Sequence, residues 1–440
     1  MPGAMTVSIK LCEDSTNADE PYLAVLTAIK GGGAVYATTN QAGIPTLVTD
    51  GSIPTDNYIK FEYPHNDLPT ITLMNVKLSS TGNVLDLSSF DIAVKIMVIG
   101  DSIFDSTNKS GIFRASYGDI TILGPNTLTL NCGASAIAFE GNSYPNSLIL
   151  KGLTLKATTL KDVNGNVLHI PAGNLTVDGC TLDFLNRAGI AVFLEQGKVD
   201  DAASRGNATI SNSIVKISSR NTAMQLDGNL TVLGSNMQFT SEAQALDCGE
   251  NLDATNSTLF LEGNSSTAEA VLVGGEFNLR ISNIEIVGTK HTIFNATTIP
   301  NLVGEYTVIA GLDRESATTY DETLLSTYQY FFAEAVTQPT TPSIPETEPT
   351  EPPTVAPTQA PTTAPTKAPT VTVKPTTATI KITAATQPVE NPSGGNSVLF
   401  WILAVVMILG ACGAATMAVL MLRKNAKAGL DDIPEEDENA

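Results

Sequence analysis

Basic side chains are scarce in this sequence of 440 residues: Lys and Arg number 24 against 45 Asp and Glu, so the net charge is −21. Proteins that bind nucleic acid neutralise its phosphates with Lys and Arg, and adhesion to anionic lipid needs the same residues. The charge balance therefore excludes nucleic acid as a partner and disfavours attachment to anionic lipid surfaces.

Histidine and cysteine are also rare, with three and five residues. Three His give no zinc constellation, and five Cys are too few for a scaffold built from disulfides. Charged residues make up 16% of the chain, which is low for a soluble cytosolic enzyme. Hydrophobic residues reach 42%, which is enough for a large core and excludes disorder of the chain as a whole.

A run without charges occupies residues 398–422. A helix that spans a bilayer needs about 20 apolar residues, so this run predicts one transmembrane helix. Arg423, Lys424 and Lys427 follow it directly, and the positive-inside rule then places the tail 423–440 in the cytoplasm. We therefore expect a single-pass cell-membrane protein in which the residues before 398 lie outside the cell.

Pro and Thr dominate residues 337–397, which include the repeat APTQ-APTT-APTK-APTV at 356–371. Pro fixes φ, removes a hydrogen-bond donor and pushes the preceding residue toward an extended backbone. Such a segment cannot pack a core, so we expect a disordered, semi-rigid polyproline II stalk. Residues 337–440 hold six basic and ten acidic residues, which leaves 18 basic and 35 acidic residues, a net charge of −17, on residues 1–336.

The first 20 residues contain no apolar segment of the kind that a signal peptide needs, and they are already acidic at Glu13. An ectodomain outside the cell requires such a signal, so we expect it to be missing from this sequence, which then starts inside a longer gene. The alternative is a tail-anchored protein with its bulk in the cytoplasm.

An internal repeat fills residues 61–302, as in GNLTVDGCTLDF (173–184), GNATISNSIVKI (206–217) and GNLTVLGSNMQF (228–239). Each copy has apolar residues four and two positions before an Asn or Gly, and a further apolar residue three positions after it in almost every copy. The mean spacing is about 26 residues. The Asn or Gly positions are Asn75, Gly100, Gly124, Gly152, Gly179, Asn212, Gly234, Asn256 and Asn283.

Alternation with a period of two predicts a strand with one buried face, and Asn and Gly enter the left-handed region at low cost. Each strand should therefore end in a sharp corner, with a second strand after it. A third apolar run precedes most copies, as in NVLHI (166–170) and TAMQL (222–226). The sequence predicts an all-β right-handed parallel β-helix of about nine coils with three strands each, capped by residues 1–60 and by strands in 303–336.

The ladder of NLTV-type coils, the run YIKFEYPHNDLPTITLMNVKL (58–78), the YTVIAG…STYQYFF ending, the stalk and the terminal helix together resemble a known family. These features are similar to β-helix surface proteins of anaerobic gut Firmicutes that are described as containing a carbohydrate-binding domain. The resemblance covers nearly the whole chain, and it implies a cell-surface protein that binds carbohydrate.

Many β-helix proteins cleave polysaccharides, and the galacturonan hydrolases among them carry N-T-D, D-D, G-H-G and R-I-K along one face. In this chain Asp200 and Asp201 form the one Asp pair before the stalk, His169 lacks flanking Gly, and R-I-K is absent. General acid and base catalysis needs two groups placed together, which nothing in the sequence requires. We predict no catalytic or metal-ligating residue and no cofactor, with Ca²⁺ held by turn carboxylates as an open alternative.

Polar side chains in the strand before each corner should line a shallow groove along the rod. The candidate carbohydrate-binding residues are Asp86, Arg114, Glu140, His169, Glu195 and Gln225, with Tyr58, Tyr63, Tyr117 and Tyr144 as aromatic platforms. The hypothesis is binding of extracellular polysaccharide without cleavage, with neutral sugars favoured over uronate chains by the acidic surface. The alternatives are an adhesin or structural surface spacer, and a polysaccharide lyase or hydrolase; the oligomeric state stays open.

Overall fold

A computed structural model describes residues 5–16, 21–89, 91–141, 145–160, 165–197, 206–288, 293 and 299–336. The predicted stalk 337–397, membrane helix 398–422 and tail 423–440 lie outside these residues, as do Tyr144, Asp200 and Asp201. Over the described ranges, no helix is long and apolar enough to cross a membrane. The described chain is all β apart from one 3₁₀ turn at Glu322–Thr327.

The strands form three sheets. Within each sheet they are named in spatial order, so that consecutive strands are hydrogen-bonded to each other. Sheet A contains β2 (Tyr22–Ile29), β1 (Thr6–Glu13), β8 (Leu85–Asp86), β11 (Ile112–Arg114), β14 (Ile137–Phe139), β17 (Leu168–Ile170), β20 (Val192–Leu194), β23 (Met224–Leu226), β26 (Leu246–Cys248) and β29 (Val271–Val273). Sheet B contains β32 (Asn301–Val303), β30 (Phe277–Arg280), β27 (Leu252–Thr255), β24 (Leu230–Leu233), β21 (Ala208–Ser211), β18 (Leu175–Asp178), β15 (Leu148–Lys151), β12 (Ile120–Leu123), β9 (Val94–Val98), β6 (Thr70–Met74), β5 (Tyr58–Glu62), β3 (Val35–Thr39) and β4 (Pro45–Leu47). Sheet C contains β34 (Thr318–Thr319), β33 (Tyr306–Gly311), β35 (Tyr330–Ala335), β31 (Asn283–Gly288), β28 (Thr258–Gly263), β25 (Asn236–Ser241), β22 (Ile214–Ser219), β19 (Thr181–Asn186), β16 (Thr154–Thr159), β13 (Thr127–Cys132), β10 (Ser102–Ser106) and β7 (Lys77–Ser80).

Each coil contributes one strand to each sheet, and strands of successive coils pair in parallel, as β24 does with β27. The predicted parallel β-helix with three strands per coil is confirmed as a β-solenoid of about eight turns, rather than nine. The ninth repeat supplies β30 and β31, whereas β29 is the last strand of sheet A in the described part of the chain. The handedness stays a prediction.

The interior of the solenoid is a stack of aliphatic and aromatic side chains, one layer per coil. In the coil of β24 and β25, Leu230, Val232, Met237 and Phe239 are fully buried. Their equivalents in the next coil, such as Leu252 opposite Leu230, lie directly above them in register. Because identical strand positions stack, the period of two in the sequence turns into continuous buried rows along the axis.

The corners between sheets B and C show why Asn and Gly recur. Among the predicted corner residues, φ is positive at Asn75, Gly124, Gly152, Gly179, Asn212, Gly234 and Asn256. Gly100 is different, because its φ is not positive; a Cβ there would lie 2.4 Å from Oδ1 of Asn75 in the preceding coil. Gly100 therefore permits a close approach between coils rather than a left-handed backbone.

The last predicted corner needs correction, because Asn283 begins β31 and the positive φ of 49° belongs to Ile281. The inward residues of β30 are Phe277 and Leu279, which pair with Leu252 and Ala254. The sequence pattern therefore places this corner two residues too late. A β-branched residue in the left-handed region is strained, since its Cβ crowds the backbone.

A serine ladder follows the corners of the later coils. Ser235 N donates to Ser257 Oγ at 3.2 Å, and Ser257 N donates to Ser282 Oγ at 3.1 Å. Ser282 N in turn donates to the hydroxyl of Tyr306 in the C-terminal cap at 3.1 Å. These bonds satisfy buried backbone donors that the sharp corner removes from the sheets.

An asparagine ladder lies at the entry to sheet B, and it explains the Asn of the G-N-L-T pattern. Asn207, Asn229 and Asn251 each donate their backbone N–H to the side-chain oxygen of the Asn one coil earlier, beginning with Asn174. The side-chain amides bond along the same row, as Asn229 Nδ2 does to Asn207 Oδ1 at 3.0 Å. This ladder ties neighbouring coils together.

Antiparallel strands lie at both ends of the solenoid. At the N-terminal end, β1 and β2 form a hairpin beside β8, and β3, β4 and β5 extend sheet B. At the C-terminal end, β35 lies between β31 and β33 and pairs with both in antiparallel fashion. Such strands occupy positions where open edges of a solenoid would otherwise invite pairing with other chains.

The four cysteines of the described chain, Cys12, Cys132, Cys180 and Cys248, are buried and free. Burial raises the pKa of the Cys132 and Cys248 thiols to about 12. A thiol must lose its proton to act as a nucleophile, so these residues behave as small apolar side chains.

Replacing Ile281 with Asn is expected to raise the free energy of unfolding by about 1 kcal/mol, because Asn tolerates the left-handed backbone and the Ile side chain is exposed. Gly234→Ile places an isoleucine at the equivalent corner, where a Cβ has room. This variant should lower the free energy of unfolding by a similar amount. Urea unfolding of both variants measures the change; a loss of stability in Ile281→Asn would contradict the strain.

Candidate functional site

The polar residues predicted to line a groove lie mostly along sheet A. The central residues of its short strands stack in one outward row, which we name the sheet A strip: Asp86, Phe113, Ala138, His169, Phe193, Gln225, Asp247 and Leu272. Three of the six predicted binding residues therefore belong to one row. Glu140 and Glu195 follow their strands by one residue and lie beside it.

His169 and Phe193 of the strip form a group of contacts with Glu195, which lies beside it. The His169 and Phe193 rings stack with centroids 5.5 Å apart and planes inclined by 5°. Nε2 of His169 lies 2.9 Å from Oε2 of Glu195, and both side chains are partly exposed. A flat aromatic surface beside a carboxylate is a combination that suits a sugar ring, although the strip is a flat surface rather than a cleft.

Farther along the strip, Gln225 and Asp247 occupy adjacent strands. Burial raises the pKa of Asp247, and the neighbouring carboxylate of Asp227 adds to the rise. Asp227 Oδ2 accepts a hydrogen bond from the backbone N–H of Gln196 at 3.1 Å. Gln225 and Asp247 thus form a polar section of the strip between Phe193 and Leu272. Glu140 is exposed beyond β14.

Arg114 does not line a groove, and the prediction for it is corrected. Its side chain is 0% exposed and occupies the inward row, opposite Phe139. The guanidinium donates to the carbonyl of Ser116 at 3.2 Å, to that of Ile92 at 2.6 Å and to that of Tyr117. Burial lowers the pKa of Arg114 to about 10, against the opposing effect of Asp119 and Asp91. Arg114 is a buried support for the loop after β11.

Asp86 is also unavailable to a ligand, because the N-terminal hairpin covers it. It is 4% exposed and accepts hydrogen bonds from the Tyr22 hydroxyl and, at 2.8 Å, from the Ser88 backbone N–H. Burial, together with the bond to Asp86, raises the pKa of the Tyr22 phenol. Lys10 lies over the Tyr22 ring, 4.8 Å from its centroid. This group closes the end of the strip.

The aromatic platforms predicted from sequence do not form a row either. Tyr63 is buried, and Tyr58 packs edge-on against Tyr36 in sheet B. Tyr117 is half exposed in the loop that Arg114 supports. None of these three lies in the strip.

The pronounced concave feature lies on sheet C, where the sequence predicts no binding residue. Two clefts of about 570 and 520 Å³ meet at Glu262 and form what we name the axial trough. Its floor is one row of residues in continuous register: Leu185, Ser218, Thr240, Glu262 and Val287, with the buried Tyr330 at the end that meets the cap. Five strand spacings give a length of about 24 Å along the axis.

One wall of the trough is built from the residues that directly follow the sheet C strands. These are Arg187, Arg220, Glu242 and Asn264, each one coil apart. Arg220, Glu242 and Asn264 donate their backbone N–H to the carbonyl at the end of the preceding coil's strand, at 3.0–3.1 Å. Their side chains therefore project from a regular, hydrogen-bonded corner. Arg220 Nε and Glu242 Oε2 are 3.8 Å apart and both are well exposed.

The other end of the trough lies against the C-terminal cap. Phe260, half buried, is next to Glu285 on the facing strand, and Leu312, Asp313 and Arg314 of the cap overhang them. Arg314 is hydrogen-bonded to Glu285, and its bonds to Tyr330 and Glu285 raise its pKa. An aromatic ring, carboxylates and a guanidinium therefore meet at this end.

A spacing in the sequence signals the trough wall. Arg187 and Arg220 are 33 residues apart, the same interval as between the corners Gly179 and Asn212. Residues separated by the coil spacing stack on one another, so these two arginines had to be neighbours. The candidates predicted from sequence come from the apolar run that precedes each copy of the repeat, and these runs form sheet A.

No group of three or more His, Cys, Asp or Glu side chains that could hold a metal ion occurs among the residues placed by the structure. The chain matches no family model, and a comparison with curated proteins and with solved structures also finds no match. The resemblance to carbohydrate-binding surface proteins thus stays a prediction, and function must be argued from the surface itself.

Proposed function

We propose that the protein binds extracellular polysaccharide without cleaving it, and that the axial trough is the binding surface. The observation that carries the proposal is the continuity of the trough, about 24 Å long and open to solvent, along one row of stacked residues. A linear chain can lie along such a trough, whereas a small ligand would use only one part of it.

The chemistry of the trough supports a sugar ligand. Phe260 offers a ring face, and Ser218, Thr240 and Asn264 offer hydroxyl and amide groups. Glu262, where the two clefts meet, can accept hydrogen bonds from sugar hydroxyls. Sites for polar ligands combine apolar surface with a few well-placed hydrogen-bonding groups in this way.

Membrane attachment belongs to the same proposal. The uncharged run 398–422 followed by Arg423 and Lys424 supports a single-pass anchor with the solenoid outside and the tail in the cytoplasm. The Pro/Thr-rich residues 337–397 would hold the solenoid away from the bilayer as a stalk. Protease treatment of intact cells checks this orientation: the solenoid should be released while an epitope on the tail stays protected.

Phe260→Ala is expected to weaken glycan binding about tenfold, because stacking on an aromatic face is lost. The full-length protein in detergent is applied to an array of plant, host and bacterial glycans, and the affinity of any bound glycan is measured for each variant. His169→Ala in the sheet A strip is the matched control and should bind as the wild type does.

Three other results are informative. Loss of binding in His169→Ala but not in Phe260→Ala would move the site to the sheet A strip. Binding of no glycan at all would refute the proposal and favour an adhesin or a structural spacer. Release of shortened or unsaturated uronides during the incubation would show cleavage, for which the neighbouring carboxylates Glu262 and Glu285 are the candidates.

A further inference from the structure

Two arginines, Arg187 and Arg220, line the N-terminal cleft of the trough, although residues 1–336 carry a net charge of −17. Lys156 in β16 and Lys216 in β22 lie nearby on sheet C, outside the cleft lining, and we name these four residues the basic patch. Lys156 and Lys216 flank Asp183 in the row beside the trough floor. Glu242 and Glu262 line the same cleft, which therefore offers two guanidinium groups beside two carboxylates.

All four side chains of the basic patch are exposed. Arg187 forms no ion pair with another residue in the described ranges, and the same holds for Lys156 and Lys216. Arg220 faces Glu242 at 3.8 Å, where both side chains are well exposed and the attraction is weak. Because Arg187 and Arg220 are both exposed and both line the N-terminal cleft, a ligand in this cleft can reach their guanidinium groups.

From this arrangement we propose that the N-terminal half of the trough recognises a carboxylate on the glycan chain, so that the ligand is a uronate-containing polysaccharide. Arg187 and Arg220 stand one coil apart on the same wall, and a guanidinium binds a carboxylate through two parallel N–H···O bonds. The ligand lies with its charged unit on the wall arginines and a neutral sugar face on Phe260.

This inference rests on the proposed polysaccharide binding and narrows it. It also reverses the expectation from net charge, which favoured neutral sugars. Net charge acts over long distances and is screened by salt, whereas the contact with two arginines acts at hydrogen-bonding distance. The acidic remainder of the surface then limits binding to chains that align with the trough.

The test compares three glycans on the full-length protein: polygalacturonate, its fully methyl-esterified form, and a phosphodiester-linked glycan. Wild-type protein should bind polygalacturonate at least about tenfold more tightly than the ester, which lacks the charge but keeps the sugar. The double variant Arg187→Gln, Arg220→Gln should lose this preference and bind both forms equally. Lys151→Gln, an exposed change on sheet B, is the control and should keep it.

Each outcome separates the narrower inference from the broader proposal. Equal binding of polygalacturonate and its ester by wild-type protein would overturn the carboxylate assignment while leaving polysaccharide binding intact. A preference for the phosphodiester glycan would show that the basic patch binds phosphate, and would also overturn the carboxylate assignment. An unchanged preference in the double variant would place the anion elsewhere, and a matching thermal midpoint shows that the variants are folded.

Discussion

Replacing Arg114 with Met should lower the free energy of unfolding by about 3–5 kcal/mol, although the two side chains are similar in length. Arg114 is fully buried and donates to the carbonyls of Ser116 and Ile92, at 3.2 and 2.6 Å, and to that of Tyr117. Met cannot donate, so these carbonyl groups would stay buried without their charged donor. Urea unfolding measures the loss.

Arg280→Met is the matched control, because Arg280 ends β30 with an exposed side chain. Its free energy of unfolding should change by no more than about 0.5 kcal/mol. Hydrogen exchange gives a second measurement: the backbone amides of residues 115–119 should exchange faster in Arg114→Met than in wild type. A loss below about 1 kcal/mol with unchanged exchange would show that Arg114 does not support this loop.

Gly173→Ala should lower the free energy of unfolding by about 3 kcal/mol, which is at the upper end of the usual effect of overpacking. A Cβ on Gly173 would lie 1.7 Å from the carbonyl oxygen of Asn146 in the preceding coil. That atom belongs to the backbone and cannot rotate away, so two coils must move apart. The shift would stretch the bond from Leu148 N to Asn174 O, 2.9 Å long, at the start of the asparagine ladder.

Gly152→Ala separates this effect from backbone strain. Gly152 has a φ of 61°, but nothing lies within 4 Å of the position that a Cβ would take. Replacing Gly152 with Ala should therefore lower the free energy of unfolding by only about 1 kcal/mol, which is the penalty of an L-residue in the left-handed region. Equal losses for the two variants in thermal or urea unfolding would mean that crowding between coils has no part in the effect of Gly173→Ala.

The contrast between these glycines shows a limit of prediction from sequence patterns. Gly173, Gly206 and Gly228 all precede an Asn of the ladder, and the sequence makes them look equivalent. A Cβ on Gly206 would come no closer than 3.3 Å to its neighbours, and Glu250 occupies the same position one coil later than Gly228. Gly206 has a positive φ of 71°, whereas Gly173 is required by the close approach of a neighbouring backbone, so the cause of the demand for glycine differs from coil to coil.

Arg114 shows a second limit: the sequence pattern does not predict which residues of very short strands face inward. The strands of sheet A have only two or three residues in the solenoid, so alternation cannot indicate which residues face inward. A shift of one position exchanges the two faces. The longer strands of sheets B and C carry enough apolar positions to decide the matter. Their buried residues follow the predicted pattern except in the coil of Ile281 and at Ile103, which is 38% exposed while Phe104 is buried.

The sequence by itself determined that residues 61–302 wind into parallel coils, because apolar residues that recur at a fixed spacing must stack into one interior. It also determined most corners, since few residues other than Asn and Gly adopt a positive φ without strain. Only the tertiary structure decided which polar residues share a surface. Neighbouring residues of the trough floor lie 22 to 43 residues apart along the chain and come together only through the register between strands.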